Sequence, residues 1–459
     1  MKRSLNLAAL LALVALTFTA CGGGSSSPSS NGSGSSQAQV FVTGEDAPLP
    51  SVVSFYITIN SITINNSSTS VNVLSTPTTV DFGRLIGLRS LLGFNKVAAG
   101  TYTSATFTLA SPVIYYVDIT TTPPSIGTVK GTLTNSTVTV AFPTGKPLTV
   151  AGDGLAGLHM DFDLRQSLAV DNNGQITGSV NPTIDVMAVS ASDDLGQITD
   201  FTGSVVSVST SASTFTMQGP YGFQEVIDTN AQTQFNGTYT LASLPANAIV
   251  SVVGTVQADG SILASGVEVI TTDLAFISGR ILAVNPGPTV TMFVGEELPN
   301  LNPNIPVDSV YTVDLSSVAQ YDVCFFDNWF TQQFFSGSTL VVGQRIFVGG
   351  TYQSGTFTPK MVSLRRQGVL GTLVENSVNI TDASSNTGNF QMQNDLLMSY
   401  SAGGPFTVNT GAGTTFVNIN GLTGLQSAGA ANLVVRGLVF KDLTTGKPVV
   451  WAGWVRILP

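Results

Sequence analysis

Histidine is nearly missing from this chain. One residue, His159, and two cysteines, Cys21 and Cys324, stand among 459 residues. A Cys/His zinc site cannot be assembled from that set, and no cofactor is expected. Charge is scarce as well: Asp, Glu, Lys and Arg make up 10%, well under the usual ~25%. Lys and Arg number 17 against 27 Asp and Glu, for a net charge of −10. No basic cluster exists, so nucleic acid is excluded as a partner. GxSxG, P-loop and HExxH patterns are absent, and a Ser-His-Asp triad would have to use His159 without a nucleophile elbow.

What is present is apolar and β-prone. Hydrophobic residues reach 43% and the mean hydropathy is +0.31. With so few charges, the surface must be mostly Ser, Thr, Asn and Gln. Val, Ile, Thr, Phe and Tyr are abundant, which favours strands. The length suits about three domains.

The N-terminus carries an address. Lys2 and Arg3 precede an apolar core of ten residues, Leu7 to Leu16. A bilayer span needs about 20 such residues, so the segment reads as a secretory signal. Phe18-Thr19-Ala20-Cys21 resembles a bacterial lipobox, with Phe18 where Leu is usual. The resemblance implies a signal over 1–20, lipidation at Cys21, and the membrane as partner through that anchor. Gly22 after the cysteine is compatible with outer-membrane delivery. Removing Lys2 and Arg3 shifts the net charge from −10 to −12. If Cys21 carries lipid, no intramolecular disulfide is possible. Gly22 to Gln37 contains no apolar side chain in sixteen residues, a flexible tether with a reach of about 20–24 Å.

The first folded block is expected over 38–190. Val53, Phe55, Ile57 and Ile59 alternate with polar residues. The phase then flips to Ile62 and Ile64, which predicts one strand bent by a bulge near Asn60-Ser61. Asn172-Asn173-Gly174 predicts a hairpin turn. Leu85, Leu88, Leu91 and Leu92 give the block its one helical rhythm, and predict a short helix. Val42 to Pro48, Val53 to Ile64, Ala99-Gly100-Thr101-Tyr102, Leu158 to Ser167 and Pro182-Thr183-Ile184 resemble, in that order, a bacterial lipoprotein family known as domain of unknown function 4382. The family usually has Thr-Asp-Ala-Pro near its start, whereas here Gly44 and Glu45 separate Thr43 from Asp46. The resemblance implies an envelope β-sandwich and no established activity.

The remainder repeats. Phe201 to Val208 is similar to Phe276 to Val284 and to Gln367 to Val374. Each start leads to a Phe/Met strand (Thr214 to Gln218, Val290 to Val294, Asn389 to Gln393) and later to an apolar strand ending near glycine (Ile249 to Gly254, Arg345 to Gly349, Leu433 to Gly437). Asp259-Gly260 adds a hairpin signal. The expected units are 198–273, 274–366 and 367–459, each a small antiparallel β-barrel or sandwich. The first unit, through Thr229 to Phe235 and Gly254-Thr255-Val256, resembles the family called domain of unknown function 5666. The whole is thus expected to be all-β, a sandwich followed by three small repeats.

Candidate chemistry is sparse. His159, Asp161 and Asp163 alternate with Leu158, Met160, Phe162 and Leu164, so one strand puts the polar three on one face with Arg165 next. Neighbours two apart lie about 6.5–7 Å apart, and a loop carboxylate would complete a metal or acid/base site. The alternative is a solvent-facing strand whose charges pair across the sheet. Gly152 to Gly157 matches GxGxxG but leads into a strand, so it reads as a turn. From Tyr321 to Phe335, seven aromatics fall within fifteen residues. Exposed, Tyr321, Phe325, Phe326, Trp329 and Phe330 would bind a protein, glycan or lipid. Buried, the segment would cap a barrel or join two repeats, with Cys324 a small packed hydrophobe. Trp451 and Trp454 read as part of a closing strand. The functional expectation is a lipid-anchored envelope protein with a binding, adhesion or scaffold role and a protein or glycan partner. The alternatives are a metal-dependent or glycan-processing enzyme at His159, Asp161 and Asp163, and a carrier of an apolar ligand or glycan at 321–335.

Overall fold

Alternating side chains build the first element of the core. In Val52–Asn65, Phe55, Ile57 and Ile59 point inward, the register slips between Ile59 and Ser61, and Ile62 and Ile64 take over the inward face. The slip is the bulge that the phase change demands. The computed structural model describes residues 37–122, 124–172, 174–219, 224–273, 275–299, 305–326 and 334–458. Cys21, the signal, Gly22 to Ser36, Trp329 and Phe330 lie outside them.

The chain is all-β, and it begins with a sandwich. One sheet has the order Ile184–Val189, Leu155–Asp163, Gln37–Ala47, Ser90–Ala98, with Gln37–Ala47 and Leu155–Asp163 parallel. The other is centred on Val52–Asn65 and Ser104–Asp118. Their inner faces share one apolar core, in which Phe162 lies 5.3 Å from Phe55 and 5.1 Å from Phe82 between ring centroids. The leucine-rich stretch is not the expected helix. A single 3-10 turn, Phe82–Arg84, precedes it, and Leu91 and Leu92 belong to the strand Ser90–Ala98. There the sheet supplies backbone partners that a short, poorly nucleated helix would lack.

Three sheets follow with one connectivity. Around the first run Gln197–Ser209, Thr214–Gln218, Gln224–Asp228, Ile262–Thr271 and Ile249–Val256, back to the start, the five-strand order of an OB-type barrel. Its hairpin turns through Gly260, whose φ of 94° a side-chain-bearing residue rarely adopts. The third, Gln367–Ile457, closes in the same way, through a parallel pairing of Phe406–Thr410 with Pro448–Ile457. The second keeps the order, but among the described residues no ladder joins Ser309–Asp314 to Thr356–Leu364. In every unit a short connecting strand (Gln234–Phe235, Gln320–Val323 or Thr415–Val417) pairs parallel with the last long strand. The expected antiparallel barrels therefore carry parallel pairings in every unit, and the first and third close through one. Two short helices, Leu396–Ala402 and Gly421–Gln426, decorate the third.

The cores run across the module borders. Phe41 of the sandwich lies in the core of the first barrel, and Leu438 and Phe440 of the third unit lie in the core of the second. Phe41 reaches its place across Gly157, where a Cβ would stand 2.3 Å from the ring. Ion pairs also bridge units: Arg84 of the sandwich with Glu296 of the second unit at 2.9 Å, Arg280 of the second with Asp395 of the third at 2.7 Å, and Arg365 of the second with Glu268 of the first barrel at 2.5 Å. Ser36–Pro459 consequently form one compact unit.

Candidate functional site

The strand Leu155–Asp163 carries the residues singled out by sequence. Its apolar side, Leu158, Met160 and Phe162, enters the sandwich core, so His159, Asp161 and Asp163 share the opposite side. That side is not solvent-facing. His159 is 1% exposed, Asp161 8% and Asp163 4%. Side chains from the third unit lie near this cluster: Arg436 packs against Gly87, and the fields of Arg436 and Arg456 reach its charged groups. Periodicity within one strand cannot reveal such docking.

Register places the neighbours. Thr43 lies beside His159, and Glu45 beside Asp161, on the parallel strand. Asp185 lies beside Asp161 on the other side. Asp161 is therefore the middle of three carboxylates in a row, where like charges disfavour ionisation. Burial first, and Glu45 second, push its carboxyl up to about 7, partly offset by Arg456. The adjacent Asp46, buried on the other face, is also raised well above the usual carboxylate range, by burial and then by Asp161.

His159 is held differently. Its Nδ1 lies 3.1 Å from Thr43 Oγ1, and the Thr43 hydroxyl donates to the Leu195 carbonyl at 2.9 Å. A hydroxyl has one proton to give, so Thr43 accepts from His159, which assigns the Nδ1–H tautomer. Nε2 then faces Glu45 Oε2 at 4.0 Å. Burial pulls the imidazole down to about 4 against the opposing pull of Glu45, so it is neutral at pH 7. Arg89, 1% exposed, ties this cluster together, with Glu45 at 3.6 Å, Asp194 at 3.1 Å and the Gln197 carbonyl at 3.2 Å. Arg436 lies over the Trp454 ring at 5.0 Å and is lowered to about 10, by burial first and Arg89 next, which leaves it charged.

Asp163 caps the one-turn helix Leu164–Ser167. It accepts from the Gln166 backbone at 2.9 Å and from the Gln166 side chain at 2.6 Å. The three polar residues thus have separate tasks. Among the described residues, no group of three His, Cys, Asp or Glu side chains is placed to hold a metal ion.

The aromatic segment divides. Tyr321 and Phe335 pack in the second unit's core, with ring centroids 5.8 Å apart. Phe326 leans on Gly266 of the first barrel, where a Cβ would stand 2.6 Å from the ring. The Phe325 N–H donates to Glu268 of the first barrel at 3.3 Å. Cys324 is buried and its thiol points to the same carboxylate at 3.9 Å. Among the described aromatics of this segment, Phe334 alone is exposed, at 70%. Trp451 and Trp454 lie in the strand Pro448–Ile457, and Gly152 to Gly157 turns into a strand.

Thr43, Glu45, Arg89, Asp194, Arg436 and Arg456 were not singled out by sequence. Arg436 had a signal: it interrupts Leu433-Val434-Val435 and Leu438-Val439-Phe440, and an arginine inside such a run is either at an edge or inside a seam. Asp163 had one too, since Asp-x-x-Gln is an N-cap pattern.

A family model covers the part of the chain that holds the histidine strand. The family described as Domain of unknown function (DUF4382) matches residues 37–177. The DUF4382 match takes in Thr43, Glu45, Arg89 and His159. It stops before Ile184–Val189, the strand that completes the four-stranded sheet. No curated protein matches the chain.

Proposed function

We propose that this chain is a lipid-anchored envelope protein that presents four β modules as one rigid body, in a binding or scaffold role rather than a catalytic one. One observation carries this reading: the side chains best suited to chemistry are spent inside module borders. His159 is committed to Thr43, Arg89 to Asp194 and Gln197, and Arg365 to Glu268. A body locked in this way fixes the spacing of its loops, which suits the holding of a partner. The anchor at Cys21 and the outer-membrane address rest on the sequence.

Feeding cells an alkyne fatty acid tests the anchor. The wild-type chain is expected to take up label and to sediment with membranes, and Cys21→Ser to do neither. An unlabelled wild-type chain overturns the placement. Crosslinking in intact cells then tests the role: recurrent envelope partners support it, and substrate turnover that disappears in His159→Gln refutes it.

A further inference from the structure

Between the first and second barrels runs a cleft of about 640 Å³. Its size falls in the ~300–1,000 Å³ range of small-ligand sites. It lies on the fifth strand of the first barrel and the loop before its fourth, away from the strand 2–3 face that OB-type barrels commonly use. Two other clefts are smaller, about 340 and 80 Å³. Arg84 and Arg89, in the wall of the larger of these, are already paired to Glu296 and Asp194.

The walls of the large cleft are built from fixed parts. Asn236 grips both backbone groups of Val269, at 3.0 and 2.8 Å, and its carbonyl accepts from the Tyr239 N–H at 3.2 Å. This sets the loop that brings Tyr239 to the cleft. On the other side Glu268, 4% exposed and bound to Arg365, holds the backbone of Phe325. Two rings therefore line the cleft on anchored backbone.

The charges of the lining select the ligand. Glu268 is neutralised by Arg365, and Asp273 by Lys360 at 2.8 Å. Asp322, which accepts from Gln320 Nε2 at 2.5 Å, is the remaining carboxylate of the wall. A lining with one acceptor-only anion, amides, threonine hydroxyls and no spare cation repels phosphates and carboxylates. It suits a neutral ligand dense in hydroxyl donors that also has apolar C–H faces for the rings. We infer that this cleft binds a neutral oligosaccharide, with Tyr239 and Phe325 supporting sugar faces and Asp322 accepting from sugar hydroxyls.

Calorimetry on the full chain tests this with maltotetraose, cellotetraose, laminaritetraose and chitotetraose. At least one is expected to bind with a Kd under about 1 mM. Asp322→Asn, half-buried and outside the apolar core, is expected to weaken that sugar about 10-fold with Tm unchanged. Tyr239→Ala is expected to abolish binding, and Asp322→Asn keeps the test decisive if Tyr239→Ala unfolds. Absence of heat with all four sugars, or an unchanged Kd in Asp322→Asn, overturns the assignment.

Discussion

Two module borders bury arginine against glutamate, and they do so in opposite ways. At the border of the first and second barrels, Arg365 meets Glu268 at 2.5 Å and lies over the Phe347 ring at 4.2 Å. The carboxylate also receives the Phe325 N–H. At the border around His159, Arg89 stands 3.6 Å from Glu45, and Glu45, Asp161 and Asp185 follow one another across the sheet. The first arrangement is a closed pair. The second is a crowd of charges in which the Asp161 carboxyl is pushed up to about 7 and is about half protonated at neutrality. A closed pair fixes geometry, whereas a crowd makes geometry depend on pH.

The largest expected effect falls on the closed pair. Arg365→Met leaves Glu268 buried without its cation and is expected to cost about 3–5 kcal/mol in chemical denaturation. Adding Glu268→Met should recover much of that loss. A single-variant cost under ~1 kcal/mol would erase the contrast between the borders.

The intermediate effect belongs to the crowd. Burial and Glu45 push the Asp161 carboxyl in the fold up to about 7 from its ordinary 3.8. Its proton is bound more tightly by the folded state, so its contribution is full below about 4 and is lost as the pH rises through 7. His159 works in reverse: lowered from 6.5 to about 4, it favours the fold above 6.5 and loses that contribution as the pH falls through 4. Relative to wild type, Asp161→Asn should therefore gain stability as the pH is raised from about 4 to 7, and His159→Gln as it is lowered from about 6.5 to 4. Urea titrations of the three proteins across that range check this. Parallel curves would mean that the crowd does not titrate as described. The smallest effect is Phe334→Ser: at 70% exposure, it should change the unfolding free energy in urea titration by less than about 0.5 kcal/mol.

Much of the architecture was legible because strands announce themselves locally. The phase flip at Ile59 to Ile62 predicted a bulge, and the recurring Phe/Met and Gly-ended strands predicted repeats. The missed features depend on distant chain. Leu85 to Leu92 has a helical rhythm, yet Ser90–Ala98 pairs with Gln37–Ala47. His159, Asp161 and Asp163 were correctly placed on one strand face. Their electrostatic surroundings include charges nearly 300 residues further along, at Arg436 and Arg456. The parallel closures were missed because composition carries no sign of strand direction. Of the aromatic segment, the sequence left burial and exposure open, and the described residues divide between them.

The second barrel borrows Leu438 and Phe440 from the strand Asn432–Lys441 of the third unit. A chain halted before Leu438 would lack these two buried side chains and open part of the second barrel's apolar lining to water. The core of the second barrel is thus complete only once the third unit is present.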